Sequence, residues 1–441
     1  MPHEPSVYRD LAERSWAWVQ TQVREDGGSL WLPEKPEQVE PGEDPYGMHS
    51  GIGGLAHVLA EIRLARPLTA AEQRLADGIM ETLVRRISHE TRFDYFNGLV
   101  STIGVLTALG ALGADRVVAR LRELATRDGW QPSWIGPPQA MAEGRCNDAT
   151  LGNAAVVLGA VWALENDVAG AAELAAQAAD IVHVEKKELP TGLDWKFVPE
   201  RFLLEADRDY QMPNWSHGLA GISGSMAAAG IALDRPDLVD AARLGAEHLV
   251  TLADTSDGGM RVAHVIPDQD GLDTYTYTWC HGPAGTSLLF AALDRAGVTD
   301  VAGRTPYDWE HACLHSLKVS GIPERRYPGF WDNDGRCCGT AGVGDVVLNI
   351  WQRHGVGDDL AFAVTLADAI VDRAITDDTD DRFVYWRFVE HRNEDPLLPP
   401  GAGWMQGAAG IAAYLFRLAR VLEQGREAEA AARMDTWWAL P

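Results

Sequence analysis

One short glycine motif recurs seven times along this 441-residue chain. In each copy a small or polar residue precedes a leading glycine, and in most copies a second small residue follows three positions later. The leading glycines are Gly51, Gly98, Gly152, Gly218, Gly282, Gly339 and Gly407, at intervals of 47 to 68 residues. Each interval has room for two helices of ordinary length and their connections. The repeat therefore predicts one helical hairpin per copy.

The hydrophobic pattern divides the predicted helices into two layers. Residues after each leading glycine are apolar nearly all round, which indicates helices buried on every side. Amphipathic, charged segments lie between them, at residues 6–24, 70–87, 114–127, 169–183, 236–252, 306–318 and 359–376. Short apolar or aromatic stretches at 29–33, 193–199, 260–267 and 383–388 indicate extended ribbons on one rim. We predict an all-α fold, an α/α toroid of about seven inner and seven outer helices, as a single domain over residues 1–441.

The charge balance narrows the class of partner and the compartment. Acidic residues outnumber basic ones by 64 to 38, for a formal net charge of −26. Binding to a nucleic-acid backbone needs a basic face, so we expect no nucleic-acid partner. The N-terminal residues lack the basic and apolar regions of a signal peptide, and no apolar run of about 18 residues occurs. We expect a cytoplasmic protein without an integral membrane segment, whose five cysteines are metal ligands or free thiols.

The repeat places three of these cysteines in one register. If all inner helices start on the same face, the residues before the leading glycines meet at the mouth of the ring. Cys280 and Cys337 then occupy equivalent places in adjacent repeats, with Cys338 beside them. Three soft ligands suit Zn²⁺, and a fourth position open to water or substrate would make the site catalytic. The alternative is that the three thiols are small buried residues tolerated at tight helix starts.

Three strings resemble the lanthionine synthetase C-like family, which includes the cyclases of lanthipeptide biosynthesis. They are Ser-His-Gly-Leu-Ala-Gly at 216–221, Trp-Cys-His-Gly-Pro-Ala-Gly at 279–285 and Asp-Asn-Asp-Gly-Arg-Cys-Cys-Gly-Thr-Ala-Gly at 332–342. The resemblance extends over the seven glycine motifs and implies a double toroid of helices. It also implies a zinc ion held by Cys280, Cys337 and Cys338.

Two positions depart from the family pattern. Cys338 stands where the commonest members have histidine, and a third thiolate makes a bound zinc more electron-rich. Similar all-cysteine sites occur in a family branch associated with broad substrate tolerance. Thr276 stands where the family tends to carry an arginine, so a role of that arginine in steadying an enolate is unfilled or met elsewhere.

The resemblance implies a reaction and three further site residues. In the family, a peptide cysteine adds to dehydroalanine or dehydrobutyrine and a thioether ring results. His217 matches the family's candidate acid/base, or else it caps an inner helix. Asp148 matches an active-site aspartate that orients a histidine or takes a proton, and a helix cap is equally open. His281 replaces a common tyrosine and is a hydrogen-bond donor, an acid or a further ligand.

The sequence therefore predicts a zinc-dependent lanthipeptide cyclase. Its expected partners are a dehydrated precursor peptide and a separate dehydratase, since no dehydratase or kinase region fits within these residues. Two alternatives remain open. One is addition of glutathione or another small thiol to dehydroamino acids, and the other is a non-catalytic, peptide-binding scaffold of a biosynthetic complex.

Overall fold

The computed structural model describes residues 3–133, 141–204, 211–269, 273–390 and 395–441. Within these ranges fourteen α-helices alternate between an outer and an inner layer. The outer helices are α1 (Pro5–Gln22), α3 (Ala70–Arg86), α5 (Ala114–Leu124), α7 (Ala171–Val184), α9 (Pro236–Leu252), α11 (Pro306–Val319) and α13 (Gly357–Asp372). The inner helices are α2 (Leu55–Ala65), α4 (Leu99–Leu109), α6 (Asn153–Glu165), α8 (Leu219–Ala232), α10 (Pro283–Arg295), α12 (Thr340–His354) and α14 (Ala408–Gln424). The predicted α/α toroid is confirmed.

The inner helices form a closed ring. Each packs on the next inner helix along the chain, and α14 packs on α2. The helix that covers α14 from outside is α1, from the opposite end of the chain. Ser15 of α1 donates its hydroxyl to the carbonyl of Ala408 at 3.3 Å, and Trp16 donates its indole N–H to Glu72 of α3 at 2.8 Å. The seventh hairpin therefore consists of α1 and α14, from opposite ends of the chain, and their packing closes the ring.

Glycine is required at the helix starts because the preceding loop folds back onto them. A Cβ at Gly221 would lie 1.9 Å from the carbonyl oxygen of Trp215, and one at Gly285 would lie 1.9 Å from that of Trp279. At Gly342 the same atom would lie 1.8 Å from the carbonyl oxygen of Arg336. Such distances are far inside van der Waals contact. The second small residue of the repeat is thus explained by close backbone approach.

The predicted ribbons on the rim are confirmed as five two-stranded antiparallel sheets in the described residues. Their strands are β1 (Arg24–Asp26), β2 (Ser29–Trp31), β3 (Lys187–Leu189), β4 (Gly192–Asp194), β5 (Ala253–Asp254), β6 (Arg261–Val262), β7 (Ile375–Thr376), β8 (Val384–Tyr385), β9 (Phe388–Val389) and β10 (Leu397–Leu398). Tryptophans after the outer helices join these ribbons to the barrel. Trp195 donates its indole N–H to Val182 of α7, and Trp386 donates to Ile370 of α13, both at 2.9 Å. Both carbonyls lie in the last turn of their helices, where regular intrahelical donors run out.

The last residues of the chain pack against several inner helices. Met434 lies against Gly104 of α4, where an added Cβ would be 2.8 Å from its methyl carbon. Trp437 packs on Trp162 of α6, with ring centroids 5.5 Å apart. Trp438 packs on Trp215 at 5.8 Å. The C-terminal segment therefore fills space between the inner helices.

A buried ion cluster joins this segment to the ring. Asp345 of α12 accepts from Arg336 and from Arg417 of α14, each at 2.8 Å, and also pairs with Arg433. Burial acts to raise the pKa of Asp345, but the charges of these three arginines hold it well below its usual range. Removing one member of such a buried cluster is costly, because it leaves uncompensated charge out of water.

A helix that crosses a membrane must be long enough to span it and apolar over most of its length. Among the described helices, none combines the length and apolar composition that a membrane crossing requires.

A glycine-to-alanine pair tests the steric basis of the ring. Gly221→Ala should lower the free energy of unfolding by about 1–3 kcal/mol, because its Cβ must displace backbone. Gly357→Ala, at the first residue of α13, should be neutral or stabilising by up to about 1 kcal/mol, since nothing lies within 4 Å of the new Cβ. Urea unfolding followed by circular dichroism measures both. Equal effects of the two substitutions would contradict the explanation.

Candidate functional site

The seven helix starts are joined by hydrogen bonds at the mouth of the ring. In four links the amide of the residue two before a leading glycine donates to the carbonyl of its counterpart in the next repeat. These links are Ser216 to Cys280 (2.9 Å), Cys280 to Cys337 (3.3 Å), Cys337 to Met405 (2.9 Å) and Met405 to His49 (2.8 Å). Two links start one residue earlier, from Met48 to Phe96 (2.6 Å) and from Tyr95 to Thr150 (2.8 Å). The remaining link, between the third and fourth repeats, is different.

At this link the backbone amide of Thr150 donates to Asp148 and not to the carbonyl of the next repeat. Oδ1 of Asp148 accepts from the Thr150 amide at 2.5 Å, from the Thr150 hydroxyl at 2.8 Å and from the Leu151 amide at 2.6 Å. The Thr150 hydroxyl also lies 3.2 Å from the carbonyl oxygen of Ser216, so its single proton is shared between Asp148 and this last link of the circle. The other carboxylate oxygen of the fully buried Asp148 lies 2.6 Å from Nδ1 of His217. The one link that departs from the backbone pattern therefore holds Asp148 in contact with His217.

His217 does not serve as a helix cap. Helix α8 begins at Leu219, and its N-cap is Gly218, without a side-chain capping bond. The Nδ1–H of His217 donates to Asp148, which leaves Nε2 as the free ring nitrogen. Burial lowers the pKa of His217, but the charge and hydrogen bond of Asp148 outweigh it, so the pKa is raised above its ordinary value. An Asp-held imidazole of this kind can donate and accept a proton.

Three thiols lie together at the starts of α10 and α12. Sγ of Cys280 is 3.5 Å from Sγ of Cys338, which is 3.4 Å from Sγ of Cys337. Cys280 is buried, and Cys337 and Cys338 are partly exposed at the mouth. Within the described residues, this is the one group of three His, Cys, Asp or Glu side chains close enough to hold a metal ion.

The donor set fits a tetrahedral thiophilic metal. Sulfurs about 2.3 Å from a tetrahedral zinc are about 3.8 Å apart, close to the observed separations. Hydrogen bonds from Cys337 and Cys338 lower the pKa of Cys280, and the same contacts raise the pKa values of both partners. Without a cation the cluster therefore favours one thiolate, and a cation is needed to stabilise three. This cluster could bind a metal.

His281 connects the cluster to the imidazole of His217. Their ring centroids are 5.2 Å apart, and His264 lies 4.3 Å from His281 on another side. Burial lowers the pKa of His281 to about 4, opposed by the charge of Cys280 and assisted by the other two histidines. Its Nδ1 is buried and has no hydrogen-bond partner among the described residues. His281 is outside the group of three thiols that could hold a metal ion.

Sequence reasoning assigned no role to His264, although it contacts a site residue. It follows β6, and its amide donates to the carbonyl of Thr274 at 2.8 Å. The ribbon pattern predicted the strand but carried no signal for the packing of this side chain on His281.

Thr276 holds backbone at the site. Its hydroxyl donates to the carbonyl of His281 at 3.0 Å. The hydroxyl of Thr278 lies 3.3 Å from Sγ of Cys280 and accepts from the His281 amide at 3.1 Å. Both threonines therefore support the turn that carries Cys280 and His281.

The remaining cysteines lie outside the cluster. Cys146 and Cys313 are buried free thiols. Burial raises the pKa of Cys146 well above its usual value and acts in the same direction on Cys313. They behave as small apolar core residues.

The chain is similar to known proteins in sequence and in fold. The family model for lanthionine synthetase C-like protein matches residues 42–353. Among solved structures, nisin cyclase matches with a TM-score of 0.56 and 13% identity, covering 96% of this chain and 95% of that one. A D-mannose isomerase matches with a TM-score of 0.50 and 12% identity, covering 93% and 97%. Identities this low show the toroid fold alone, and no curated protein matches the sequence significantly.

Metal titration tests the thiol cluster. Co²⁺ added to the reduced protein should give thiolate-to-cobalt absorption, and Cys338→Ala should weaken binding by at least about 100-fold because a ligand is lost. Cys313→Ala is the matched control, since it removes a buried thiol outside the cluster. Binding that is indifferent to Cys338, or equally sensitive to Cys313, would contradict the assignment.

The Asp148 contact should be visible in the titration of His217. In metal-free Asp148→Asn protein, the pKa of His217 should fall below its wild-type value, because burial then acts without the opposing charge. NMR titration of the imidazole C–H resonances measures the shift, with His183 as an internal reference, since the charges that act on its pKa are those of Lys186, Asp237, Arg235 and Asp180. An unchanged or higher pKa would rule out Asp148 as the cause.

Proposed function

Because the chain belongs to the lanthionine synthetase C-like family, we propose that it is a zinc-dependent lanthipeptide cyclase. It would join peptide cysteines to dehydroalanine or dehydrobutyrine as (methyl)lanthionine thioethers. One observation carries the proposal: a three-thiol cluster and an Asp-held imidazole meet at one ring mouth, bridged by His281. Neither half alone suits thiol addition, which needs both a thiolate and a proton donor.

Cys280, Cys337 and Cys338 would hold the zinc ion. When bound, zinc leaves a coordination position for a substrate thiol and favours its thiolate form at neutral pH. The protein's own thiols are positioned for this by backbone, since Cys280 and Cys337 are members of the circle of hydrogen bonds. The partial exposure of Cys337 and Cys338 at the mouth supports access by a peptide.

His217 would supply the proton that completes the addition. When sulfur bonds to the β-carbon, the electron pair of the carbon–carbon double bond moves to the α-carbon and its carbonyl as an enolate. That enolate needs one proton at the α-carbon. The raised pKa of His217 favours its protonated form, and Asp148 holds the ring by Nδ1 so that Nε2 donates.

His281 would stabilise the enolate oxygen as a neutral hydrogen-bond donor. Its pKa of about 4 keeps the ring uncharged at neutral pH. A neutral donor near developing negative charge stabilises it without itself being consumed as an acid. This role would meet the need left by Thr276, whose short side chain is engaged with backbone.

Cyclisation of a dehydrated peptide tests the function. The zinc-loaded protein should accelerate loss of free thiol without change in peptide mass, measured by alkylation and mass spectrometry. His217→Ala should slow this by about 10²–10⁴-fold, since it removes the general acid. His89→Ala removes an exposed histidine that is not part of the candidate site and should have no effect.

Two outcomes would contradict the proposal. A rate no greater than the uncatalysed one, with zinc bound, would exclude cyclase activity on that peptide. Addition of glutathione to the same dehydroamino acids, faster than ring closure, would instead identify a small-thiol transferase.

A further inference from the structure

The two sides of the thiol cluster differ around the ring. On one side are His281, in the same repeat as Cys280, and His217 of the preceding repeat, which carry the proposed enolate stabilisation and proton transfer. On the other side the next repeats contribute Gln406 and Ser50, each immediately before its leading glycine. Backbone continuity holds this second side close, since a Cβ on Gly335 would lie 3.3 Å from the Cα of Gln406. A substrate at the cluster therefore meets unlike surroundings to its two sides.

A cavity of about 150 Å³ opens on this second side. It lies between the loop after β2 and the β9–β10 hairpin, and we call it the flank pocket. Its walls include Pro33, Lys35, Ser50, Phe388, Leu398 and Gln406. The apolar walls are Pro33, Phe388 and Leu398, together with Pro399 and Ala402. Among the described residues of the lining, Glu34 and Lys35 contribute charges of opposite sign.

The size and lining of the flank pocket select its occupant. A cavity of about this volume accommodates a benzene-sized group, which matches one leucine or phenylalanine side chain. An apolar side chain gains free energy on leaving water for such a lining. A carboxylate loses hydration there and meets the charge of Glu34 as well as that of Lys35, so attraction and repulsion offset each other. The pocket is too small for a nucleotide or other drug-sized ligand.

The distance round the ring gives the position of that side chain in the peptide. Neighbouring helices are about 8–10 Å apart, so Gln406 is about one such step from Cys338. An extended peptide covers this in about three residues. The dehydro residue must lie on the other side, because its α-carbon has to reach His217.

We propose that the flank pocket binds an apolar side chain within about three residues of the reacting cysteine, on the side away from the dehydro residue. This rests on the proposed function for the identity of the peptide, and it makes the pocket a determinant of which cysteine reacts. No covalent step occurs there.

Peptide binding tests the pocket separately from catalysis. The probes are fluorescein-labelled nonapeptides with one cysteine, alanine in place of the dehydro residue, and leucine or aspartate two positions from the cysteine, on either side. Fluorescence anisotropy with the zinc-loaded protein should show the leucine probe binding about tenfold more tightly than the aspartate probe on one side. Equal binding of the two probes on both sides, or no binding of any probe, would overturn the proposal.

Matched variants of one hairpin locate the effect. Leu398→Trp should fill the pocket and abolish the preference for leucine, with zinc content unchanged. Leu397→Trp is the control, because the side chain of Leu397, the residue before Leu398, is exposed and does not line the pocket. Phe388→Ala should enlarge the pocket and shift the preference from leucine to tryptophan, measured with a further probe that carries tryptophan at the same position. A leucine preference that survives Leu398→Trp and Phe388→Ala, or that Leu397→Trp also abolishes, would overturn the proposal.

The same experiments separate this proposal from the proposed function. Pocket-dependent binding without thioether formation from a dehydrated peptide would leave the pocket standing and refute the cyclase. Cyclisation at equal rates for leucine and aspartate probes carrying dehydroalanine would refute the pocket and leave the cyclase standing.

Discussion

The circle of hydrogen bonds through the seven helix starts is the constraint on which the rest of the structure depends. It sets adjacent repeats in register at the mouth, so that residues equivalent in sequence become neighbours in space. It also explains the glycines, because a loop that reaches its neighbour's backbone folds back onto its own helix start. A Cβ at Gly342 would lie only 1.8 Å from the carbonyl oxygen of Arg336. The repeat in the sequence is thus the trace of a steric requirement.

The candidate chemistry lies at variations within this circle. Cys280 and Cys337 contribute backbone to it in the ordinary way and side chains to the thiol cluster. Asp148 instead replaces one backbone link and uses the freed geometry to hold His217. A scaffold of this kind can change site residues without changing its architecture, because the links are made by main chain. The positions just before the leading glycines are all partly exposed, which leaves them available for function.

The interior of the ring is closed to chemistry by packing and charge. The C-terminal segment places Met434, Trp437 and Trp438 against inner helices, and Arg433 pairs with Asp345. Asp345 also holds Arg336, the residue before Cys337. The filled interior therefore supports the loop that carries Cys337 and Cys338, and the candidate site lies at the rim. The ribbons on that rim form the wall of the flank pocket, so elements that appear peripheral in the chain border the site.

The sequence by itself determined the layers, the number of hairpins, the ribbons and the register of the three thiols. Hydrophobic periodicity and the repeated glycine motif are properties of short segments, so they can be recognised directly in the amino-acid sequence. It did not reveal that α1 closes the ring on α14, that the C-terminal residues fill it, or that His264 contacts His281. Nor did it determine that Asp148 touches His217 across 69 residues rather than capping a helix. Tertiary structure decided these points, because they depend on side-chain contacts between segments that meet only when the ring closes.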